Sequence, residues 1–270
     1  MEFSLIIIGD EILHGTRTDK HFAFFKALLE SNGLRLAQVQ YLPDEPEVLA
    51  RQLKRSFTDG LPTFVTGGIG ATPDDHTRQA AAAALSLPVV RHIEAARLIE
   101  DVSRTRGDLP GSAPYQQRLH MADFPAGAEL IPNPYNNIAG FSIQQHYFLP
   151  GFPQMAHPMA AWVLNHFYAD RFNQIEQQQR SVLLYDLPES RIADLMVHLE
   201  QRYPGIKTFS LPSLSQTDAQ GRQTDAHIEF GIKASGAACA HIEAAWAETQ
   251  QTLLALGGRL QALPFSNAPG

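Results

Sequence analysis

The sequence predicts an α/β fold with a mostly parallel sheet covered by helices on both faces, followed by a small α+β domain. Short apolar runs typical of strands alternate with amphipathic helical stretches from the start to about Tyr168. Residues 170–180 are polar and rich in glutamine, as expected of a linker. Residues 181–256 then follow the order strand, helix, strand, strand, helix.

The first domain, residues 1–169, is predicted from the spacing of its apolar residues. Runs of β-branched and aromatic residues indicate strands, and apolar residues three and four positions apart indicate helices. The predicted elements are strands at 3–8, 36–41, 63–66, around Leu130 and at 142–149, and helices at 21–32, 45–57, 76–85, 93–106, 113–121 and through 159–167. Because ligands bind at the carboxyl ends of parallel strands, we expect the segments after the first and third strands to share one rim.

The second domain, residues 181–256, shows the same kinds of pattern over shorter distances. We predict strands at 181–185, 206–211 and 226–233, and helices at 189–202 and 237–256. The polar residues 213–224 are predicted to form a loop, and residues 257–270 a frayed tail.

Composition excludes several classes of protein. The formal net charge of −7 argues against general nucleic-acid binding, which needs a basic face. Cys239 is the single cysteine, so an internal disulfide and a cysteine metal cluster are excluded, which favours the cytoplasm. No apolar run is long enough to span a bilayer, and the start lacks the basic region of a secretion signal.

The most informative segment is TGGIGATPDDHTR at residues 66–78, which follows the strand at 63–66. Its glycines can bring bare backbone N–H groups close to an anion. Thr72 or Asp74 can cap a helix beginning near Asp75, whose N-terminus favours phosphate, and Asp74 or Asp75 can hold Mg²⁺. On spacing alone, a glycine-rich turn with an acidic helix start explains the same residues.

Three motifs together resemble a known family: GDEILHG at 9–15, GGIGATPDD at 67–75 and PGFP at 150–153. They resemble the MoaB/Mog-type molybdopterin-binding domain, and most closely the N-terminal part of the CinA competence/damage-inducible proteins. The resemblance implies a three-layer α/β/α sandwich. The second domain resembles, more weakly, the KH-like module of CinA proteins. It lacks a GXXG loop, so we do not expect it to bind RNA.

The resemblance also implies a set of site residues around a pterin or nucleotide phosphate. The catalytic residues would be Asp10, Glu11, Asp74 and Asp75, of which Asp74 and Asp75 would serve the metal. The ligand-binding residues would be Gly9, Asp19, His21, Gly67, Gly68, Gly70, Thr72, Gly151 and Pro153.

Two positions depart from the family pattern. Ala71 stands where the family usually has proline, which leaves the backbone geometry possible. His21 stands where the family commonly has asparagine; it can bond phosphate, or it can be a capping or partly buried histidine. His76, beside Asp75, is a further candidate for a metal or phosphate contact.

Three functions are consistent with these residues. The first is a pyrophosphatase that uses Mg²⁺ or another divalent cation to hydrolyse dinucleotides such as ADP-ribose or FAD, or a related adenylyl-transfer enzyme. The second is a non-catalytic binder of a phosphorylated pterin, such as molybdopterin, or of a nucleotide, acting as a carrier, as a sensor or in molybdenum cofactor metabolism. The third is a protein-interaction role. The family resemblance implies a homo-oligomer, and the lack of a long apolar run predicts no membrane association.

Overall fold

A computed structural model describes residues 1–217 and 223–263 of the 270-residue chain. The chain divides into two compact units, Met1–Asn173 and Gln174–Gly270. Every residue of the first unit is described. The boundary lies inside the segment 170–180 that the sequence predicts as a linker.

The elements of the first unit alternate between strand and helix as predicted. The strands are β1 (Glu2–Ile8), β2 (Arg35–Leu42), β3 (Thr63–Thr66), β4 (Val89–Arg91), β5 (Asp123–Pro125), β6 (Glu129–Ile131), β7 (Gly140–Ile143) and β8 (His146–Leu149). The helices are α1 (Asp10–Leu13), α2 (His21–Ser31), α3 (Pro46–Asp59), α4 (Thr77–Leu85), α5 (Ile93–Thr105), α6 (Ala113–Leu119) and α7 (Pro153–Phe167).

The main sheet of the first unit has the strand order β2-β1-β3-β8-β7-β6. Strands β2, β1, β3 and β8 run parallel, and β7 and β6 continue the sheet antiparallel at one edge. This arrangement confirms the prediction of a mostly parallel sheet. A short ribbon of β4 and β5 forms a separate antiparallel pair.

Helices cover both faces of this sheet and build two apolar cores. Successive residues of β1 point to opposite faces: Ile6 and Ile8 pack into the core that α3, α4 and α5 cover, and Leu5 and Ile7 into the core that α2 and α7 cover. The result is the three-layer α/β/α sandwich that the family resemblance implies.

The predicted strand at 142–149 is wrong in one respect, because it is a hairpin. Gln144 and Gln145 both have left-handed backbone conformations, with φ of 47° and 59°, and they reverse the chain between β7 and β8. Two successive left-handed residues make the type I′ turn that hairpins favour. Glutamine is not among the residues that predict this turn, so the sequence alone indicates one continuous strand.

The second unit is an antiparallel sheet with two helices. In chain order its elements are β9 (Gln177–Tyr185), α8 (Ala193–Arg202), β10 (Lys207–Ser213), β11 (Gln216–Thr217), β12 (Gln223–Thr224), β13 (His227–Ser235), α9 (Ile242–Ala255) and β14 (Arg259–Gln261). The larger sheet has the order β10-β13-β9-β14, and its core includes Leu184, Leu199, Phe230 and Leu253. This is the predicted small α+β domain.

Three predictions for the second unit need correction. Strand β9 begins at Gln177, inside the predicted linker, because its polar residues pair with β13. Within the predicted loop 213–224, β11 pairs with β12, and residues 218–222 lie outside the described part. The frayed tail is wrong at Arg259–Gln261, since these residues add β14 to the edge of β9; residues 264–270 lie outside the described part.

Over residues 1–217 and 223–263, no helix combines the length and the apolar character that crossing a membrane requires.

Candidate functional site

The site lies at the carboxyl edge of the parallel strands, where the chain changes direction within the sheet. The chain leaves β1 to form β2 on one side and then crosses to form β3 on the other side of β1. A crevice opens at such a switch point, between the loops that follow β1 and β3. The loops after β2 and β8 reach the same edge because all four strands run parallel.

The glycine loop, which we define as residues 67–75, is held by hydrogen bonds from its carbonyl groups. The Thr77 side chain and N–H donate to the carbonyl oxygens of Gly67 and Gly68, both at 3.0 Å. The Arg78 guanidinium donates to the carbonyl of Ile69 at 2.9 Å, and the Gln117 amide donates to that of Ala71. The loop therefore turns these carbonyls toward the protein.

The same loop leaves its N–H groups unused. In the first unit, which is described throughout, the N–H groups of residues 68–71 have no hydrogen-bond partner. Four successive free donors beside bonded carbonyls resemble the backbone arrangement called a nest, which binds anions in other proteins. Phosphate binding by Gly68 and Gly70 stays a prediction, for which these backbone donors are available.

Helix α4 differs from its prediction in where it begins. It starts at Thr77, so neither Thr72 nor Asp74 caps it. The Thr77 N–H donates back to Gly68 and is not available to a ligand. The donors available to a ligand are therefore those of the glycine loop, because the Thr77 N–H is already bonded.

Asp75 shapes the glycine loop from inside. Its Oδ2 accepts hydrogen bonds from the Thr72 N–H at 2.8 Å and from the Thr72 hydroxyl at 2.6 Å. The sequence predicts Asp75 as a metal ligand and catalytic residue. These contacts commit one carboxylate oxygen to the shape of the loop, and the metal and catalytic roles of Asp75 stay predictions.

Arg78 lies directly under the glycine loop. The residue is only 3% exposed, and its Nε is buried without a hydrogen-bond partner in the fully described first unit. Burial lowers the pKa of the guanidinium, although the charges of Asp75 and Asp123 oppose that change. An arginine stays charged in proteins, so a positive charge lies buried beneath the free N–H groups.

Carboxylates gather on the opposite side of the crevice. The Asp10 N–H donates to Asp44 Oδ2 at 3.0 Å, and the Asp44 N–H donates to Asp10 Oδ1 at 3.4 Å, which ties the loops after β1 and β2 together. Burial raises the pKa of the Asp44 carboxyl, and the charges of Asp10, Glu11 and Asp74 raise it further. These negative groups are close enough to repel one another.

Asp74, like Asp10, is an exposed member of this acidic group. The neighbouring Thr72 hydroxyl, together with the N–H of Asp74 itself, lowers the pKa of its carboxyl, which therefore stays ionised at neutral pH. Among the described residues, no group of three or more histidine, cysteine, aspartate or glutamate side chains is arranged to hold a metal ion.

Two neighbouring cavities open between these loops. The first, of about 410 Å³, is here called the phosphate chamber. It is lined by the glycine loop and, among others, by Gly9, Glu11, Asp44 and Phe152. The predicted residues that line it are Gly9, Glu11, Gly67, Gly68, Gly70, Thr72, Asp74, Asp75 and Gly151.

The second cavity, of about 280 Å³, is here called the basic chamber. It is lined by Arg17, Lys20 and His21, and by Gly151 and Pro153 of the PGFP loop. Glu11, Arg17 and Phe152 line both chambers. Arg17 donates to Glu11 Oε1 at 3.1 Å and lies 5.9 Å from the Phe152 ring centroid.

His21 and Asp19 hold the walls of the basic chamber. His21 is 4% exposed, and its Nε2 lies 3.1 Å from the carbonyl oxygen of Gly151. Burial lowers the pKa of His21, so the ring is neutral at neutral pH. Asp19 accepts the N–H groups of His21 and Phe22 at 2.7 and 3.1 Å. Asp19 lines neither chamber, and neither do Asp10 and His76.

Sequence reasoning missed three charged residues that line the chambers: Arg17, Lys20 and Asp44. Asp44 follows β2 directly, at the same edge as the glycine loop. The signal was available, because a carboxylate at the carboxyl end of the second parallel strand must lie near the loops after the first and third. Arg17 and Lys20 lie in the loop after β1, outside the GDEILHG motif.

Most of the first unit matches a known protein family. Residues 4–169 match a family model described as "Probable molybdopterin binding domain". A CinA-like protein of Geobacter sp. (strain M21) is 32% identical over 206 residues, which cover 73% of this chain and 47% of that protein. A CinA-like protein of Desulfotalea psychrophila is 29% identical over 201 residues, which cover 71% of this chain and 47% of that protein.

The chain thus spans about half the length of these curated relatives. Among solved structures, it is similar to the protein CinA, of unknown function, from Thermoplasma acidophilum. The TM-score is 0.54 at 23% identity, and the match covers 61% of this chain and 96% of that one. At this identity the likeness supports the fold alone. The resemblance predicted from the three motifs is confirmed by the family match.

Proposed function

This chain belongs to the molybdopterin-binding domain family, and we propose that its phosphate chamber binds a phosphorylated pterin or nucleotide and hydrolyses a pyrophosphate bond in it. The observation that carries the proposal is the glycine loop. Its carbonyls are bonded inward, and the N–H groups of residues 68–71 are free at the crevice. Such a row of donors fits a phosphate group.

Two positive groups favour the same ligand. The Arg78 guanidinium is buried under the loop, and a buried charge without a full partner is costly. A phosphate bound above it offsets part of that cost. Arg17 and Lys20 line the adjoining basic chamber, where they can bind a second phosphate of a diphosphate ligand. The pair of chambers therefore suits a pyrophosphate better than a single phosphate.

The acidic side of the phosphate chamber fits a divalent cation. Asp44 and Asp74 both line the chamber, and the pKa of Asp44 is raised partly by neighbouring carboxylates, which a cation would neutralise. Mg²⁺ is commonly held by one or two carboxylates together with phosphate oxygens, so a cage of three protein ligands is not required. When bound there, such an ion supplies charge neutralisation at the phosphoryl oxygens.

The protein's own groups account for the other parts of the reaction. Loop N–H groups and Arg78 stabilise negative charge on the phosphoryl oxygens as the bond to the bridging oxygen breaks. Glu11 lines both chambers and is placed to accept a proton from a water whose oxygen attacks phosphorus. The second phosphate leaves with the bridging oxygen and its electron pair, beside Arg17 and Lys20.

The test uses ADP-ribose with Mg²⁺ and measures AMP and ribose 5-phosphate by chromatography. We expect Asp74→Asn to lower turnover about 100-fold or more, because the substitution removes a negative charge from the chamber. It breaks no buried contact, so the fold should be preserved. Asp59→Asn is the matched control. It removes an exposed carboxylate that pairs with Arg55 at 3.9 Å at the end of α3 and should leave turnover unchanged. Equal turnover in both variants would remove the catalytic role of Asp74.

A second function is favoured by one observation. The carboxylates of Asp10 and Asp44 are turned toward each other's backbone N–H groups, so both already serve the structure. A non-catalytic binder of a phosphorylated pterin or nucleotide needs the free N–H groups but not these carboxylates. Calorimetry with ADP-ribose, FAD, ATP and molybdopterin separates the two functions, since tight binding without product identifies the binder.

A further inference from the structure

Two histidine rings lie side by side at the wall of the basic chamber. His21 is the first residue of α2 and is 4% exposed, and His157 lies near the start of α7. Their ring centroids are 5.4 Å apart, and the ring planes are nearly perpendicular, at 85°. The His157 ring also stacks flat on Phe24, with 3.6 Å between the centroids, which limits its rotation. These two residues are here called the histidine pair.

Each ring of the pair has a buried nitrogen without a hydrogen-bond partner. These atoms are His21 Nδ1 and His157 Nε2, both in the fully described first unit. His21 donates from Nε2 to the carbonyl oxygen of Gly151, so its Nδ1 carries a lone pair. His157 donates to the carbonyl of Lys20, so its Nε2 carries one as well. The pair therefore buries two acceptors, and a buried polar atom without a partner lowers stability.

One added proton would satisfy both nitrogens. Two lone pairs cannot bond each other, but a protonated ring donates an N–H to the lone pair of a neutral neighbour. A centroid separation of 5.4 Å is within reach of such a bond, because each nitrogen lies at the rim of its ring. A second proton would place two positive charges side by side, which disfavours it. The pair is thus arranged to hold a single proton.

Without a ligand, the surroundings keep the pair neutral at pH 7. Burial lowers the pKa of His21, and burial together with the neighbouring His21 lowers the pKa of His157 to about 4. The charge of Asp19 opposes both changes. Asp19 also accepts the hydroxyl of Tyr41 on β2 at 2.9 Å, so its carboxylate is shared with another partner. A further negative charge is needed before the pair takes up a proton.

The other charges near the pair favour an anion as the source of that negative charge. They include Glu11, which pairs with Arg17 at 3.1 Å, and Lys26 and Glu30 of α2, which pair with each other at 2.9 Å. Lys20 lines the basic chamber and has no ion-pair partner in the fully described first unit. Residues 153–160 of α7 carry no ionisable side chain besides the histidine of the pair. An anion in the basic chamber therefore meets net positive charge, and it favours the charged form of a histidine at the wall.

We propose that the histidine pair takes up one proton from the solvent when an anionic group of the ligand enters the basic chamber, and that His21 Nδ1 and His157 Nε2 share this proton. The proposal rests on the proposed function, which places the second phosphate of a diphosphate in that chamber. His21 stands where the family commonly has asparagine. An asparagine side chain takes up no proton at these pH values, so the coupling belongs to this chain.

The shared proton gives ligand affinity a defined pH dependence. The pKa of each free histidine lies below its ordinary value near 6.5, and a bound anion raises the pKa of the pair. Binding takes up a proton at pH values between the free and the bound pKa. Affinity therefore rises as the pH falls, by about three- to tenfold between pH 7.5 and 5.5.

The experiment is calorimetry of the full chain with ADP-ribose at pH 6.5, without a divalent cation so that binding is measured apart from hydrolysis. It is repeated in buffers with different heats of ionisation, because the change in observed heat gives the number of protons taken up. Both phosphates of ADP-ribose are diesters and lack the second ionisation, near pH 6, of a phosphate monoester. The counted protons therefore belong to the protein, and we expect about 0.5 proton or more per ligand.

Three variants assign the proton to the pair. His21→Asn removes the titrating ring and keeps a side-chain N–H for Gly151. His157→Phe keeps an aromatic ring against Phe24 and removes the accepting nitrogen, at a residue that lines neither chamber. In both we expect uptake to fall below about 0.2 proton and the affinity to become nearly independent of pH. His14→Asn makes the same chemical change at an exposed residue that lines neither chamber, and should keep the uptake.

Thermal melting confirms that each variant is folded, and either variant of the pair suffices if the other unfolds or no longer binds. Uptake that survives in a folded, binding variant of His21 or His157 overturns the shared proton. So does binding of ADP-ribose to the wild type without uptake, and both results leave the proposed function intact. Absence of ADP-ribose binding to the wild type overturns both proposals.

Discussion

The carboxylates of the two units have opposite surroundings, which shift their pKa values in opposite directions. In the second unit, Glu248 accepts hydrogen bonds from Tyr203 and His198, both at 2.8 Å, and pairs with Arg202 at 3.3 Å. The Tyr203 hydroxyl is the main cause that lowers the pKa of Glu248. At the rim of the first unit, burial and neighbouring carboxylates raise the pKa of Asp44.

The difference between the two groups of carboxylates indicates which of them is available to a ligand. Carboxylates surrounded by donors stabilise the unit that holds them, and they have little left to offer a ligand. A group of carboxylates with few donors costs stability, and it becomes favourable when a cation arrives. The same contrast holds for backbone, because the glycine loop leaves donors free while the antiparallel ladder of β9, β10 and β13 uses its N–H groups for pairing.

The largest expected effect comes from Gly67→Ala, which disrupts the glycine loop. The free N–H groups of this loop distinguish the rim of the first unit from the sheet of the second unit. Gly67 has a φ of 103°, and an added Cβ would overlap the carbonyl oxygen of Ile8. We expect a loss of about 2–4 kcal/mol in the free energy of unfolding, together with loss of phosphate binding. Urea denaturation and calorimetry with AMP measure the two effects.

Gly60→Ala is the matched control for that variant. Gly60 also has a positive φ, of 72°, but an added Cβ would meet no atom within 4 Å. It should lose only about 1 kcal/mol, which is the cost of the left-handed conformation, and should bind AMP normally. If Gly67→Ala lowers the free energy of unfolding no more than Gly60→Ala does, close packing of Gly67 against Ile8 does not contribute to stability.

The next expected effect is the pH dependence of stability that comes from a buried histidine in the first unit, His146. His146 is 1% exposed, its Nε2 lies 2.8 Å from Ser56 Oγ, and burial lowers its pKa to about 4. The unfolded chain has a histidine pKa near 6.5, so the unfolded state takes up the proton first as the pH falls. Stability that is complete above pH 6.5 is therefore lost between pH 6.5 and 4, by at most about 3 kcal/mol for this residue.

The measurement is urea denaturation of the wild type and of His146→Leu across that pH range. The variant should be less stable at pH 7, because Ser56 loses a partner, but the difference between the two proteins should shrink toward pH 4. A constant difference would show that His146 does not titrate with unfolding.

The most direct test of the comparison makes the same chemical change in both units. Asp44→Asn should raise the free energy of unfolding by up to about 1 kcal/mol at pH 7, because it removes a repelled charge while an amide oxygen can still accept the Asp10 N–H. It should also weaken any dependence of turnover on Mg²⁺. Thermal melting without ligand and the ADP-ribose assay provide the readouts.

Glu248→Gln is the counterpart and should change stability in the opposite direction. We expect a loss of about 0.5–1 kcal/mol, since the pairs with Arg202 and His198 are partly exposed and such pairs contribute little each. Changes of the same sign in the two variants would remove the distinction between the two groups of carboxylates.

The sequence predicts much of the fold because the elements have clear patterns. The apolar run of β1, the stop at Gly67 and Gly68, and the PGFP turn all mark strand ends, so three of the four rim loops are predictable. Strand β9 is not, because its QQQR start has no apolar pattern and becomes a strand only by pairing with β13.

The site is less predictable than the fold, because its roles depend on contacts across the rim. Nothing in the adjacent Asp74 and Asp75 shows that Thr72 binds the second and leaves the first exposed. Nor does the sequence show that His21 bonds Gly151, 130 positions away. Position along the chain identifies candidate residues, and only the packing of the loops separates those that face a ligand from those that hold the walls.

The buried guanidinium of Arg78 has a practical consequence. A fold that keeps a cation under a row of unpaired donors is less stable without an anion than with one, so an anion that binds the folded state raises its melting temperature by mass action. For this protein, the melting temperature can therefore serve as a ligand screen. Pterins, nucleotides and sugar phosphates can be ranked by the temperature at which the first unit unfolds, before any reaction product is known.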